Sequence, residues 1–485
     1  MFQPKTVSHT LPPSPLTNFL FKRWAVVSWP ICLIGSLAAL LAPALWNGYA
    51  ITFYDTGGYV DAALQMHLVP GRSLFYGLFL WAGSLGWQSF WGPVLVQSLV
   101  TLWLIRLLLR CHGLPAGPRT LAFFSAGLAS LTGISWYTSQ LMPDVLVPLM
   151  VLALWILTVH WPGLEWKERS GLALIALLGM LSHMSGLALA LGLIAIILAA
   201  KMTGRHWTPA VFIVPPLAVV LTGLLLMPLL HLALTGKGGY TPGGSTFLFG
   251  RLVQDGLVQR WLAEHCPAPG IKLCELRHRL PATADDFLWN GGSPFQDLGG
   301  WQGESEAELK RLTRSAVTAY PGMTIWTTVR STAQQMVKVA TGDALDEGHY
   351  DTHGIITGYL PAIARPFFEA RQQQGEITRN LFDRLNLIHV PVALFSVFAL
   401  LPIAIWSWRN GRRDLTSLAL FVFLALLGNA FICGALSNPH DRYQSRLVWL
   451  APLVVGMVSV TYRERWNRGR QLGRNPALNL KKTEC

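Results

Sequence analysis

The sequence predicts an all-α polytopic membrane protein with about ten transmembrane helices, within a range of roughly 9–12. Only 13% of its 485 residues are charged and 52% are hydrophobic, whereas soluble proteins carry about a quarter charged residues. Several apolar runs reach roughly 18 residues or more, which is the length needed to cross a bilayer. Together these features indicate a chain that crosses the membrane several times.

The net charge of +13 does not indicate nucleic-acid binding, because the excess lies in the apolar part of the chain. Between Leu232 and Asn386 there are 15 Lys and Arg against 16 Asp and Glu, which leaves 23 basic and 9 acidic residues elsewhere. Basic residues that flank apolar runs set membrane topology. We therefore expect membrane lipids, and no nucleic acid, among the partners.

The chain begins with a predicted cytoplasmic tail, residues 1–23, whose Pro-rich segment Leu11–Pro15 is predicted to be flexible. The first apolar run follows Lys22 and Arg23, exceeds the length of a signal-peptide core and lacks a small-residue cleavage site. We therefore predict a retained anchor rather than a cleaved signal peptide.

Ten apolar runs, in an N-terminal module (residues 24–231) and a C-terminal module (residues 387–462), are predicted to span the membrane: Trp24–Trp46, Trp91–Leu109, Leu121–Tyr137, Val145–Trp161, Gly171–Leu181, Leu187–Ala200, Pro209–Leu230, Leu387–Trp408, Leu415–Cys433 and Gln444–Tyr462. The fifth and sixth are short for a bilayer core about 30 Å thick. They are predicted to be tilted half-spans joined at Ser182–Gly186. The glycine-interrupted run Leu74–Trp87 is predicted to lie in the membrane interface.

The distribution of Lys and Arg between loops predicts the orientation, since cytoplasmic loops are enriched in these residues. The loops on the side of the N-terminus hold most of them: Lys22, Arg23, Arg106, Arg110, Arg119, Lys167, Arg169, Lys201, Arg205, Arg409, Arg412, Arg413 and the basic tail, residues 463–485. The opposite loops hold little beyond Arg72 and Arg442. The first loop (residues 47–90) and the long insert after the seventh span (residues 232–386) are therefore predicted to be external.

The insert is predicted to form a mainly helical external domain, with helix-like stretches such as Glu304–Thr318 and Thr324–Thr341 between turn-rich segments. Cys266 and Cys274 lie in it within HCPAPGIKLC. An oxidising exterior favours a disulfide between them. Two free thiols are the alternative.

Four acidic residues outside the insert map to the external side: Asp55, Asp61, Asp144 and Asp441. Asp144 lies in SQLMPDVL, where the third span ends, and a carboxylate at that depth needs a partner, a cation or a wet cavity. The alternatives are a helix N-cap for Asp144, an ordinary loop aspartate for Asp55, and a solvated or structural aspartate for Asp61.

Three segments form a joint pattern: FYDTGGYVDAAL from Phe53, the Met-Pro-Asp that ends at Asp144, and RSLFYGLFLWAGSLG from Arg72. The pattern resembles the GT-C superfamily of integral-membrane glycosyltransferases, in particular the polyprenyl-phosphate-sugar-dependent group of ArnT-like and PMT-like enzymes. The resemblance covers roughly residues 24–230 and is architectural beyond them.

The resemblance implies transfer of a sugar from a polyprenyl-phosphate donor to a glycan, lipid or protein acceptor at the periplasmic face of a bacterial inner membrane. It implies Asp55 as general base and Asp144 as a second acidic residue, with either no cofactor or a divalent ion, Mg²⁺ or Mn²⁺, at these carboxylates. The chain departs from the pattern at Ser182 and His183, where many relatives have Thr-Lys. A protonated His183 can contact phosphate, and a histidine satisfied at a helix end is the alternative.

The segment NPHDRYQSRLVWL places Arg442 and Arg446 at the external end of the last span as candidate ligands of the donor phosphate, since the planar fork of Arg suits phosphate. Interfacial snorkelling with an ion pair to Asp441 is the alternative. Further substrate-contact candidates are an arginine, an aspartate and three tyrosines that suit sugar stacking and equally a membrane-interface belt: Arg72, Asp61, Tyr54, Tyr59 and Tyr137.

Two other functions remain open. A transporter or flippase of a lipid-linked glycan needs similar groups, and internal repeats with helices broken at mid-membrane would favour it. The sequence shows no such repeat, and its acidic residues gather on one side. A non-catalytic scaffold whose external domain binds a partner would leave Asp55 and Asp144 without a role.

Overall fold

The described part of the chain, residues 15–202, 210–240, 243–302, 305–346 and 350–474 of a computed structural model, is all-helical. Its α-helices are α1 (Pro15–Leu40), α2 (Ala42–Asn47), α3 (Tyr54–Gln65), α4 (Leu74–Gly83), α5 (Trp91–Cys111), α6 (Pro118–Leu131), α7 (Ile134–Ser139), α8 (Leu146–Val159), α9 (Trp166–Ser182), α10 (Met184–Met202), α11 (Val214–Thr235), α12 (Gly244–Gln254), α13 (Leu257–His265), α14 (Leu273–Leu276), α15 (Ala284–Trp289), α16 (Pro294–Asp297), α17 (Glu306–Ala319), α18 (Pro321–Val337), α19 (Tyr350–Tyr359), α20 (Pro361–Phe368), α21 (Arg379–Arg409), α22 (Arg413–Ala435), α23 (Asp441–Val448) and α24 (Leu450–Arg474). The predicted all-α fold class is confirmed for these residues. The predicted tail segments 1–14 and 475–485 lie outside them.

Six helices in the described residues are long and apolar enough to cross a membrane: Trp91–Cys111, Met184–Met202, Val214–Thr235, Arg379–Arg409, Arg413–Ala435 and Asp441–Arg463. They coincide with the second, sixth, seventh, eighth, ninth and tenth predicted spans. Of the other four predicted spans, the first and fourth fall on the shorter apolar helices Ser28–Leu40 and Pro143–Val159. The third falls on α6 and α7, and the fifth falls on α9. The structure therefore supports a membrane protein and does not confirm a count of ten.

The shorter helices have identifiable interruptions. The first predicted span is divided after Leu40, and α2 begins with Pro43 in its first turn, where proline is tolerated. The third is divided at Thr132 and Gly133 into α6 and α7. The fifth ends at His183, whose extended backbone separates α9 from α10. This last break lies within the predicted junction at Ser182–Gly186.

A short parallel pairing brings the loops after α2 and α7 together. The Ile51 amide donates to the Ser139 carbonyl at 3.0 Å, and the Leu141 amide donates to the Ile51 carbonyl at 2.8 Å. Asp55 follows Ile51 by four residues and Asp144 follows Leu141 by three. The pairing therefore places the two predicted acidic residues in adjacent stretches of chain.

The main core is centred on α8, whose residues from Leu146 to Thr158 are all buried. It collects apolar residues from both halves of the chain, including Phe90 from the N-terminal half and Trp449 from the last span. Helices that are apolar all round are expected in such a buried position. The helices that carry the predicted site residues therefore pack around one core.

The predicted insert domain consists of two differently packed parts. Helices α12–α17 surround a separate core that includes Phe249, Phe287 and Leu309, whereas buried residues from Val339 to Phe382 belong to the main core. The helix α21 also begins at Arg379, eight residues before the predicted boundary at Leu387. A second helical core is thus present, but it is smaller than the predicted insert of residues 232–386.

Cys266 and Cys274 are joined by a disulfide, with their Cα atoms 5.6 Å apart. The bridge closes the loop between α13 and α14 beside the second core, against which both cysteines pack.

Candidate functional site

Helix α3 places Asp55 at the start of the site. Phe53 is extended, and its amide donates to the Thr56 hydroxyl at 2.8 Å, which fixes the first turn of the helix. Asp55 lies in that first turn, where the positive end of the helix dipole favours a carboxylate. The sequence FYDTG therefore presents Asp55 at a helix N-terminus.

The pair Gly57-Gly58 allows two close approaches beside Asp55. A Cβ on Gly57 would lie 2.9 Å from the Thr352 Cα of α19, and the Gly57 amide donates to the Thr352 hydroxyl at 3.0 Å. A Cβ on Gly58 would lie 3.0 Å from the Cγ of Arg72. Real Cβ atoms essentially never come closer than 3.0 Å to such atoms. The absence of a side chain at Gly57 therefore allows α19 to pack against α3, and its absence at Gly58 leaves room for the Arg72 side chain.

Arg72 and Arg442 both pair with Asp55, and we call these three residues the Asp55 cluster. Arg72 Nη2 donates to Asp55 Oδ1, and Arg442 Nη1 lies 3.5 Å from Asp55 Oδ2. The side chains of Asp55, Arg72 and Arg442 are 15%, 17% and 13% exposed, respectively. The cluster is therefore largely desolvated yet still open to a ligand, and it carries one negative and two positive groups.

Asp144 and Arg446 form a second, fully enclosed ion pair. Arg446 Nη1 donates to Asp144 Oδ1 at 2.9 Å and lies 2.6 Å from His183 Nε2, while Arg446 Nη2 donates to Ser185 and Asn429 at 2.9 and 3.2 Å. The Asp144 and Arg446 side chains are 1% and 0% exposed. We call these five residues the Arg446 network. It supplies the partner that a buried carboxylate requires.

The last helix segment connects the two ion-pair groups. Arg442 and Arg446 lie four residues apart on α23, and the Tyr443 ring lies 5.1 Å from the first guanidinium and 5.5 Å from the second. Tyr137 donates to the Arg442 carbonyl at 3.3 Å and forms a short hydrogen bond with Ser445. Asp55 and Asp144 are therefore both bound by guanidinium groups that arise from one helical turn.

His440 forms a third group, which sequence analysis missed. Its Nε2 lies 3.1 Å from Asp285 and its Nδ1 lies 3.5 Å from Asp343. Burial opposes the charge on His440, but the two carboxylates outweigh burial and raise its pKa to about 9. The carboxylates belong to the insert and His440 precedes the last candidate span, so the group ties the insert to the site. Nothing in the local sequence marks Asp285 or Asp343 as its partner.

Several predicted substrate-contact residues do not belong to the Asp55 cluster. Asp61 accepts from Gln65 at 2.7 Å and lies 3.3 Å from His67. Tyr59 is 3% exposed and packs edge-on against Tyr76, and Tyr137 is 5% exposed. Tyr54 packs against Phe53 and is half-buried. The buried rings of Tyr59 and Tyr137 support the site rather than present a free face to a ligand.

The carboxylates of the site are neutralised by arginine. Asp55 is paired with Arg72 and Arg442, and Asp144 with Arg446. Within the described ranges, three or more His, Cys, Asp or Glu residues do not come together in a group that could hold a metal ion. The divalent ion that the resemblance to the GT-C superfamily allows at Asp55 and Asp144 stays a prediction.

The described residues therefore define an all-helical membrane protein in which α23 joins the Asp55 cluster and the Arg446 network. Searches against protein-family models, curated proteins and solved structures found no match. The function is therefore inferred from the chemistry of the cluster.

Proposed function

We propose that this chain is an integral-membrane glycosyltransferase of the GT-C type. It transfers a sugar from a polyprenyl-phosphate donor to a glycan, lipid or protein acceptor. In this proposal the protein lies in a bacterial inner membrane and crosses it about ten times, with the shorter helices completing the spans. Its N-terminus is cytoplasmic and its site faces the periplasm.

One observation carries the proposal, namely the position of Asp55 between Arg72 and Arg442 in a partly open cluster. Glycosyl transfer from a lipid phosphate needs a base for the acceptor hydroxyl and cations for the departing phosphate. The Asp55 cluster holds both within one salt-bridged group, with distances of at most 3.5 Å to each arginine. A carboxylate–arginine cluster at this depth in a membrane protein marks a functional site.

The reaction balances with these groups alone. The acceptor oxygen attacks the anomeric carbon and forms the new glycosidic bond, while the bond between that carbon and the donor phosphate oxygen breaks. The electron pair of the broken bond remains on the phosphate, which Arg442 stabilises. The proton of the acceptor hydroxyl passes to the Asp55 carboxylate.

The pairing of Asp55 with two arginines couples base activation to donor binding. When a donor phosphate binds the Arg442 guanidinium, Asp55 loses the more distant of its two arginine partners, since Arg442 Nη1 lies 3.5 Å from Asp55 Oδ2. Asp55 then keeps its bond to Arg72 and gains a free oxygen for the acceptor hydroxyl. The base is thus available when the donor is bound.

We assign a positioning role to Asp144, Arg446 and His183. Both terminal nitrogens of Arg446 are engaged, Nη1 by Asp144 and His183 and Nη2 by Ser185 and Asn429, and the side chain is 0% exposed. The network fixes α23, which carries Arg442, against the helices of the N-terminal module. This supports Arg442 rather than Arg446 as the arginine that meets the donor phosphate.

The test measures transfer of radiolabelled sugar from polyprenyl-phosphate hexose and pentose donors into membrane glycans and lipids. Asp55→Asn keeps the shape of the side chain and removes the base, so transfer should fall about 100- to 10,000-fold. Asp61→Asn is the matched control, because it makes the same change on the same helix at a residue bound to Gln65 and His67. Asp61→Asn should retain full activity.

Full transfer by Asp55→Asn would contradict the proposal. A purified wild-type protein that moves an intact lipid-linked glycan across vesicle membranes without cleaving it would instead support the transporter alternative. A protein that does neither, yet captures a partner through its insert, would support the scaffold.

A further inference from the structure

We propose that Trp289 of the insert is the stacking platform for a pyranose ring at the Asp55 cluster. This inference rests on the proposed function and names a substrate contact that the sequence analysis did not find. The ring is that of the donor sugar or of the acceptor, which offer the same apolar C–H face.

The partly exposed side chain of Trp289 is held in place by its neighbours. The residue ends α15 and is 47% exposed. Its ring packs against Trp301 at 5.1 Å and Phe247 at 6.1 Å between centroids. Phe247 in turn lies 3.3 Å from the position of a Cβ on Gly71, so this aromatic group rests on the turn that carries Arg72.

Arg72 places the Trp289 ring beside the proposed base. The Arg72 guanidinium carbon lies 5.3 Å from the centroid of the Trp289 ring, within the range of a cation–π contact. The same guanidinium donates to Asp55. The guanidinium of Arg72 therefore contacts the Trp289 ring and the Asp55 carboxylate together, so the ring lies beside the Asp55 cluster.

The helix α15 is also fixed at its other end. Asp285, one turn before Trp289, lies 3.1 Å from His440 and accepts from Asn438 at 2.7 Å. His440 is two residues before Arg442. The short helix thus bridges the loop of Arg72 and the segment of Arg442, and the Trp289 ring is held at the rim of the Asp55 cluster.

The chemistry of the ring matches a sugar. The face of an indole carries partial negative charge, and the axial C–H groups of a pyranose form an apolar, weakly positive surface. Tyr59 and Tyr137, the tyrosines predicted for this role, are 3% and 5% exposed, so their faces are covered. Trp289, which is 47% exposed beside the same cluster, offers the accessible aromatic surface that they lack.

The test measures equilibrium binding of two water-soluble donor analogues, citronellyl-phosphate hexose and citronellyl phosphate, and of methyl hexopyranosides, which share the ring of the acceptor. Hexoses of several configurations are used. For at least one hexose-bearing probe, Trp289→Ala should weaken binding about tenfold relative to the wild type. It should leave the binding of citronellyl phosphate unchanged, and Trp289→Phe should restore most of the affinity. Loss confined to the phosphate-linked probe identifies the donor sugar, whereas loss confined to the glycosides identifies the acceptor.

Trp326→Ala is the control, because it removes an indole that is 66% exposed on α18 of the same insert and should change nothing. The proposal is overturned if Trp289→Ala weakens citronellyl phosphate as much as the hexose probes, if it weakens none of them, or if the wild type binds no hexose probe. Because these measurements need no turnover, their failure is separate from a failure of the transfer assay with Asp55→Asn.

Discussion

The ion pair between Asp144 and Arg446 gives the sharpest test of how the two halves of the chain are held together. We expect Arg446→Met and Asp144→Leu to be strongly destabilising as single changes. We expect the double variant, which removes both charges, to be much closer to the wild type. The Asp144 and Arg446 side chains are 1% and 0% exposed, so water cannot solvate either charge when its partner is lost.

The size of the expected loss of stability follows from the contacts of Asp144. The second oxygen of Asp144 has no hydrogen-bond partner among the described residues, so loss of Arg446 removes the one guanidinium that is hydrogen-bonded to this buried carboxylate in the described part of the chain. Removal of one member of a buried pair costs about 3–5 kcal/mol, whereas replacement of both by apolar residues is often close to neutral. An unfolding entropy of about 2.1 cal/mol/K per residue gives roughly 1 kcal/mol/K for this chain. The Tm of each single variant should therefore fall by about 3–5 °C.

The assay is thermal unfolding in detergent, compared across the wild type, both single variants and the double variant. Arg365→Met is the control, because the Arg365–Glu369 pair is exposed (85% and 63%) and such pairs contribute about 0–1 kcal/mol. Destabilisation of the double variant by the sum of the two single effects would refute the reasoning, since independent residues add and coupled residues do not.

Two further predictions concern the contacts of the insert. The wild type should have a higher Tm than His440→Gln. This difference in Tm should be full below about pH 6.5 and lost as the pH rises through about 9, because the folded state raises the pKa of His440 to about 9. A difference in Tm that grows above pH 9 would contradict this. Gly57→Ala should lower stability by about 1–3 kcal/mol, because its Cβ would lie 2.9 Å from the backbone of Thr352. Gly127→Ala is the control in the same unfolding measurement, because its Cβ would meet nothing within 4 Å. Equal effects of the two changes would show that the contact between Gly57 and α19 is not tight.

The sequence predicted those features of the fold that depend on local pattern. Apolar runs of sufficient length located the six candidate spans, and the junction at Ser182–Gly186 contains the observed break at His183. It did not predict how a run would be divided, because the break between α6 and α7 depends on contacts such as that of Gly133 with Thr341, far along the chain. The packing of the insert was not predicted either, since its second part contributes buried residues to the main core and its first part forms a separate core.

The candidate site likewise combines features that the sequence predicted with features that it did not. Asp55, Asp144, His183, Arg72, Arg442 and Arg446 were all singled out from the sequence, because charged groups at the ends of apolar runs are costly and therefore informative. Their pairing was not predicted, since Arg442 and Asp55 are 387 residues apart and Arg446 and Asp144 are 302 apart. Trp289 was missed because an exposed tryptophan becomes informative only when its neighbours in space are known.

The separation between Asp144 and Arg446 also has a consequence for biosynthesis. Arg446 is translated 302 residues after Asp144, and at about 5–20 residues per second the ribosome needs roughly 15–60 s to cover that interval. Throughout it, the nascent chain holds an acidic residue whose counter-ion does not yet exist. Arrival of the last span therefore supplies the counter-ion of Asp144, and a nascent chain that stops before Arg446 leaves Asp144 without the hydrogen-bonded arginine of the finished protein.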